Sequence, residues 1–551
     1  MPRLLRTVGQ LTARQVLSRV RHVAWLRTIK RAGPLQRARY APDPAATGAD
    51  LRLAAPEGDG LERARALVDD YRAGRVSYLA QEGSTNDWHG AGLPKLWRYE
   101  RQYHKELVAF AALGLVDEAC AMVANWAVAC PPTAGDAWEP YPVARRVLAW
   151  AEAMALAPGL RPMLAPLLLP QLRLLSTHLE WHLLGNHLIC DAAALVAGGA
   201  ALEAGAGFAA QGAQVLQQEL ARQVLPDGGY AERTALYHAL VARDSLLALS
   251  LARQRGMPLR LEEPLSRMLR WLSVARRRGG ELPCLNDSTP QAMFIGREAL
   301  ARGLELELLG DDSRGEDVSL PDTGWSIARE GRHELLFEHG PLGPAEQPGH
   351  GHSDALSYEL LWDGARVVVD SGVSTYDTGP LREFERSARA HATVTVDGQG
   401  PDELWAAFRA GGRGQVTARP PRRLGVLRSF EGRVQAFQGW THDRKLHFAP
   451  GRALVVVDRV QARPGQSIVS RVPLAPGFDP RALQLVTLHG ARLPDEEGSC
   501  AQAFGKRAPR QTIAFAAGAD GRVAYAIAAP GAQVSLDGDS VRIDGEAIAT
   551  A

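Results

Sequence analysis

Apolar residues recur at spacings of three and four from about residue 61 to residue 309, the period of an amphipathic helix. The pattern predicts helices over 61–73, 96–113, 115–128, 141–155, 163–184, 187–204, 208–223, 233–254 and 261–277. Compact breakers separate them: Pro131-Pro132, Pro158-Gly159, Pro226-Asp227-Gly228-Gly229 and Gly279-Gly280. Sequential helices with short loops form antiparallel hairpins, in a bundle or in a closed ring of helix pairs. Past Gly310 the pattern changes to short β-type runs punctuated by Gly, Pro and Asp, at 324–330, 334–339, 355–362, 366–369, 392–396, 426–430, 433–440, 452–460, 467–472, 512–516, 523–528 and 541–543. Such runs predict an antiparallel sandwich or barrel. The polar stretch 309–322, with Gly310-Asp311-Asp312, reads as the linker between an all-α and an all-β half.

One β-type segment carries unusual chemistry. Residues 349–396 read GHGHSDALSYELLWDGARVVVDSGVSTYDTGPLREFERSARAHATVTV. Asp363-Gly364 is a two-residue hairpin signal that sets Trp362 opposite Ala365 and Ser357 opposite Asp370. On a straight strand His352 would then lie about 16 Å from Asp370; Gly349 and Gly351 let the chain curl back. His352, Asp370 and a following His391 can thus converge at a sheet end, with ligand types suited to zinc.

Composition narrows the partners. The chain has 551 residues, 46% of them hydrophobic, and a formal charge of +2. It can build large cores and has no bias toward nucleic acid. Five scattered cysteines without CxxC spacing fit a reducing compartment better than a disulfide framework. No run of apolar residues is long enough to read as a membrane span. Residues 1–55 open with a basic segment in which arginines recur every few positions, so no signal-peptide core can be drawn and a cytoplasmic protein is expected, with a periplasmic one as the alternative. That segment reads as a helix packed on the main domain, or as one touching a membrane surface or an acidic partner.

Four stretches of the helical half add candidates. In HLEWHLLGNHLICDA (178–192) Gly185 can end one helix and Asn186 can cap the next, with His187 beside it. In LPDGGYAERTALYHAL (225–240) a turn precedes a helix bearing Glu232, Tyr237 and His238; a cleft tyrosine transfers protons if neighbouring charge lowers its pKa. LPKLWRYERQYH (93–104) and WEPYPVARR (138–146) combine aromatic faces that stack on sugars with arginines that grip carboxylate or sulfate. In these two stretches Trp97, Arg98, Trp138 and Tyr141 are substrate-binding candidates, and core packing of Trp97 and Trp138 is the competing reading. Asn286-Asp287 reads as a turn.

These stretches together resemble the heparinase II/III-like polysaccharide lyases. GHGHSD, VVVDSG and RSARAHATV are similar to the family's β-domain signature, and LWRYERQYH, WEPYPVARR, GNHL and DGGYAERTALYH to its helical landmarks. The resemblance implies an incomplete (α/α) toroid over 56–315 followed by an antiparallel β-sandwich over 316–551. It implies a structural Zn2+ on His352, Asp370 and His391, and an acidic, uronate-containing polysaccharide as substrate. It also implies β-elimination in which Asn186 holds the uronate carboxyl group, Tyr237 serves as acid or as both base and acid, and His187 and His350 flank the sugar. Two departures stand out: Cys190 where glycosaminoglycan-degrading members carry glutamate, and Ala392 where asparagine is common. The LWRY stretch more resembles the relatives that accompany bacterial surface-polysaccharide synthesis. A non-catalytic glycan-binding or assembly protein is the alternative. A hydrolase would need a second carboxylate beside Glu232.

Overall fold

The computed structural model describes residues 3–31, 37–132, 135–309, 315–538 and 540–548. Helices Lys105–Ala112, Pro140–Leu156, Gly185–Ala201 and Ala235–Gln254 pack on one another in that order. After each comes an outer helix that folds back against it: Val116–Ala129, Arg161–Thr177, Ala206–Gln223 and Glu262–Ala275. This succession is an incomplete (α/α) toroid. Every residue of Gly185–Ala201 except His187 is buried, which its Ala- and Gly-rich sequence permits. A Cβ on Gly198 would lie 2.6 Å from Val147 Cγ1, so the inner helices approach too closely for a side chain there. Ala235–Gln254 is long and apolar enough to cross a membrane, but most of it is buried in this core.

The β half is antiparallel throughout. One sheet runs in the order Asp317–Leu320, Trp325–Glu330, His333–Glu338, Tyr358–Trp362, Ala365–Val368. A six-stranded sheet runs Gln415–Leu424, Leu427–Gln435, Thr441–Ala449, Ala453–Gln461, Arg522–Ala528, Gln484–His489. A third joins Ala491–Arg492, Lys506–Ala516, Ile468–Pro473 and Val394–Val396. Phe337 and Leu360 from the first, Phe430, Leu446 and Val456 from the second, and Val472 and Phe515 from the third share one core, making a β-sandwich.

The two halves are welded together. Trp325, Ile327 and Leu336 of the first sheet belong to the helical core, with Trp325 packed 5.0 Å from Trp271. Arg277, after the last inner-ring pair, reaches Glu334 at 3.1 Å and Glu359 at 2.6 Å, all three buried. A buried arginine is tolerated only with such partners. The junction is therefore a fixed platform.

Several local expectations change. The helix expected over 96–113 is two, Lys95–Arg101 and Lys105–Ala112, because His104 takes a left-handed conformation between them. The one expected over 163–184 ends at Thr177. Helix Ala292–Glu305, the hairpin Arg75–Tyr78/Gln81–Ser84 and strand Thr441–Ala449 carry no expectation. The last was hidden because its inward positions His442 and Arg444 are polar, buried against Asp458. The expected linker holds strand Asp317–Leu320, while Gly310-Asp311-Asp312 lies outside the described residues. At the Asp363-Gly364 turn Trp362 does face Ala365, but a register shift between Leu360 and Leu361 follows, so Ser357 does not face Asp370.

Candidate active site

The helical half brings a polar corner to the junction. Gly185 has φ +54°, and a Cβ there would lie 2.0 Å from Gln347 Oε1 and 2.1 Å from Glu232 Oε1; only glycine fits. The helix begins at Gly185, so Asn186 is inside its first turn instead of capping it. Asn186 donates to Glu232 from its backbone N–H (3.0 Å) and from Nδ2 (3.0 Å), while its Oδ1 is buried without a protein partner. With Nδ2 committed to a carboxylate, the amide orientation is determined: the open position is an acceptor. His187 Nδ1 pairs with Glu180 Oε2 at 2.9 Å, and its ring packs 4.3 Å from Tyr141. Burial works against charge on His187, but the Glu180 carboxylate outweighs it and raises the pKa.

Tyr237, held by the Thr234 cap of its helix, stacks on His350 at 3.9 Å between ring centroids. Its hydroxyl bonds that of Tyr376 at 2.8 Å. Burial first, then Tyr376 and Asp287, push its pKa well up, the reverse of the lowering that a tyrosine base requires. The phenol keeps its proton. Asn186 Nδ2 lies 3.4 Å from His350 Nε2, so Asn186, Tyr237 and His350 meet although they come from both halves.

Asp287 organises the β side. It is buried, and receives His350 Nδ1 on Oδ2 at 2.8 Å, His352 Nε2 on Oδ1 at 2.9 Å, and Arg382 Nη2 at 2.7 Å. Burial opposes its charge, yet Arg382 and the two histidine hydrogen bonds hold its pKa well below the carboxylate range. Asn286 (φ +57°) accepts the His352 N–H at 2.8 Å. The dipeptide read as a turn is thus the anchor of both GHGH histidines. With Nδ1–H given to Asp287, His350 presents Nε2 as its basic end.

Behind it, one ligand atom each from His352, Asp370 and His391 falls within 4.8 Å of the others, all three residues buried. The hydrogen bonds suit a cation. His352 donates Nε2–H to Asp287, leaving Nδ1 buried without a partner. His391 donates Nε2–H to the Glu385 carbonyl at 3.0 Å and turns Nδ1 to Asp370 Oδ2 at 2.7 Å. In both rings an outer acceptor takes the Nε2–H and Nδ1 faces inward, as in metal-ligating histidines; His352 Nδ1 has no partner, and the close approach of His391 Nδ1 to Asp370 Oδ2 calls for a proton or a cation between them. The residues fit the ion.

The aromatic candidates divide. Trp97 is fully buried, packed with Val76 and Tyr78 and bonded through Nε1 to the Gln81 carbonyl. Trp138 is also core, its Nε1 bonded to the Cys130 carbonyl. Neither offers a face to a sugar: the core reading holds for both. Arg98 is half-buried and ion-paired with Asp136, and Tyr141 lies against His187. Cys190 is buried beside Arg145, which pairs with Asp244. Glu232 spends its oxygens on Asn186 and Tyr230, leaving it ill-suited to hydrolytic acid–base work. Sequence reasoning missed Glu180, Asp287, Tyr376 and Arg382; only the place of SGVSTYDTGPLREFER between two ligand candidates hinted at the last two, Tyr376 in its loop and Arg382 on the helix Pro380–Arg386 that ends it.

Two family models match in succession: "Heparinase II/III N-terminus" over residues 120–304 and "Heparinase II/III-like, C-terminal" over 312–543. No curated protein matches the chain in sequence. Among solved structures, "Heparinase III" superposes with a TM-score of 0.71 at 17% identity, over 95% of this chain and 96% of that one. "Heparan sulfate lyase HepC from Pedobacter heparinus" superposes with a TM-score of 0.57 at 18% identity over the same shares. These likenesses confirm the toroid-plus-sandwich fold. With both of its model halves matched in order, the chain belongs to the heparinase II/III-like family of polysaccharide lyases.

Proposed function

We propose that the protein cleaves a uronate-containing acidic polysaccharide by β-elimination at the junction of its two halves. The observation that carries this reading is the meeting of an acceptor (Asn186 Oδ1), a protonated phenol (Tyr237) and an oriented imidazole (His350). A uronate carboxyl group next to Asn186 Oδ1 binds as the neutral acid, which donates to that oxygen. Neutralising the carboxyl group lowers the barrier to removing the adjacent C5 proton. His350 Nε2 accepts that proton, and Asp287 balances the imidazolium through Nδ1–H. The electron pair forms the C4=C5 double bond as the C4–O bond breaks, and Tyr237 gives its proton to the leaving oxygen. His187, whose Nδ1 is held by Glu180, leaves Nε2 as the end available to the sugar or its carboxylate, with Tyr141 beside it. Zinc on His352, Asp370 and His391 would supply a fixed dication that ties together the loops carrying Asp370 and His391. Arg98 remains a candidate for substrate charge. The solved relative named for heparan sulfate gives one substrate class to try; the likeness of the LWRY stretch to relatives that accompany surface-polysaccharide synthesis gives bacterial surface polysaccharide as another.

The test is ultraviolet absorbance of the unsaturated uronate product, on heparan sulfate, hyaluronan, alginate, polyglucuronate and bacterial surface polysaccharide. We expect a rise on at least one, with Tyr237→Phe slowing it by about 10²–10⁴-fold. No rise on any, from folded protein with zinc bound, would put the binding or assembly role ahead.

A further inference from the structure

The N-terminal helices pack inside out. In helix Arg3–Val8, helix Ala13–Arg31 and the turn between them, polar and aromatic groups make the contacts to the body. Arg6 pairs with Glu403 at 2.6 Å, Thr7 donates to the Ala410 carbonyl and accepts from Trp405, and Gln10 donates to the Gly411 carbonyl. Gln15 is buried and donates to the Glu346 carbonyl; His22 stacks on His182, and Trp25 packs on His178. Seven apolar residues among positions 3–20 point the other way. Leu4, Leu5 and Val8, then Leu11, then Val16, Leu17 and Val20 are all exposed, Leu17 by 72% and Val20 by 64%. Each helix repeats the spacing i, i+1, i+4, which makes one strip per helix. Single exposed apolar residues are ordinary on a protein surface; seven within the first twenty residues are not.

Charge says what covers them. Ten lysines and arginines and no acidic residue precede Asp43. Arg3, Arg14, Arg19, Arg21 and Arg27 are exposed. A second copy seated on this face would bring like charges together, whereas an anionic phospholipid surface complements both features: leucines and valines enter the acyl boundary while arginines reach the headgroups. We infer that the two N-terminal helices are an interfacial anchor for an anionic lipid bilayer. They hold the loops that include Glu346 and Glu403–Gly411, and those loops lead into His350 and Phe408, whose rings lie 6.0 Å apart. Seating therefore presents the junction beside the membrane surface.

Co-sedimentation of the full chain with phosphatidylcholine vesicles, with and without phosphatidylglycerol, tests this. The protein should pellet with the anionic vesicles alone and be released by salt. The triple variant Val16→Ser, Leu17→Ser, Val20→Ser should bind roughly tenfold more weakly with an unchanged melting curve, since these side chains make no core contact. Arg19→Glu with Arg27→Glu should weaken binding through charge alone. Failure to pellet, or binding indifferent to both variants, overturns the inference. So does a concentration-dependent dimer in vesicle-free solution that the triple variant abolishes, which would give the face to a second copy.

Discussion

His350 and His352 stand two residues apart and share one carboxylate, yet they belong to different kinds of site. His350 gives Nδ1–H to Asp287 and keeps Nε2 at the junction, among Asn186, Tyr237 and aromatic rings. His352 gives Nε2–H to the same Asp287 and keeps Nδ1 in a fully buried corner with Asp370 and His391. Which nitrogen is spent on the carboxylate decides which nitrogen remains, and burial decides what it can meet. In the mechanism we propose, one imidazole is left for a substrate proton and the other for an ion. The same residue type, two positions on, is turned to different chemistry by its outer partner.

Removing that partner should have the largest effect. Asp287→Asn leaves Arg382 buried without its counter-charge and frees both rings, so stability should fall by about 3–5 kcal/mol and elimination should vanish; chemical denaturation and product absorbance read the two losses. If activity fell with stability intact, the shared anchor would serve only His350. Next, Trp97→Ala should cost about 3–5 kcal/mol by leaving a core cavity, with KM for any cleaved glycan unchanged in protein that remains folded. A raised KM would return Trp97 to the substrate. Third, protein supplied with zinc should lose the ion on chelation or in His352→Ala and melt several degrees lower, because only the fold assembles residues 352, 370 and 391; metal analysis after dialysis checks the first and calorimetry the second.

The smallest effect should be the pH response of the Glu180–His187 pair. The pKa of His187 is raised in the fold, with burial opposing and Glu180 outweighing it. Its stabilisation is therefore fully present below the unfolded value of about 6.5 and is lost as pH rises through the folded one. His187 is partly exposed, so the amount should be only about 1 kcal/mol or less. Glu180→Gln should melt lower than the parent at mildly acidic pH, with the gap closing in alkali. A gap constant across pH would mean that the pair contributes packing and no charge.

Local pattern carried much of the architecture. The toroid's inner helices announce themselves through apolar period, and Asp363-Gly364 through turn chemistry: φ of +48° and +79° at the two positions is what that dipeptide tolerates. The pattern failed where burial was polar. Thr441–Ala449 places His442 and Arg444 inward because Asp458 waits there, from a strand read only as apolar. It also failed where aromatic residues look alike whether they face a sugar or a core, as Trp97 and Trp138 do.

By itself the sequence determined the order of an α half and a β half, the ligand types His352, Asp370 and His391, and the presence of Asn186, Tyr237 and His350. These follow from backbone period and side-chain chemistry, which neighbours in the chain settle. The tertiary structure alone decided that Asp287 joins two histidines more than sixty residues away, that Tyr376 meets Tyr237, and that Tyr237's proton is held instead of loosened. Those outcomes depend on where one half docks on the other and on how much water that docking excludes, and neither quantity is written into any local stretch of chain.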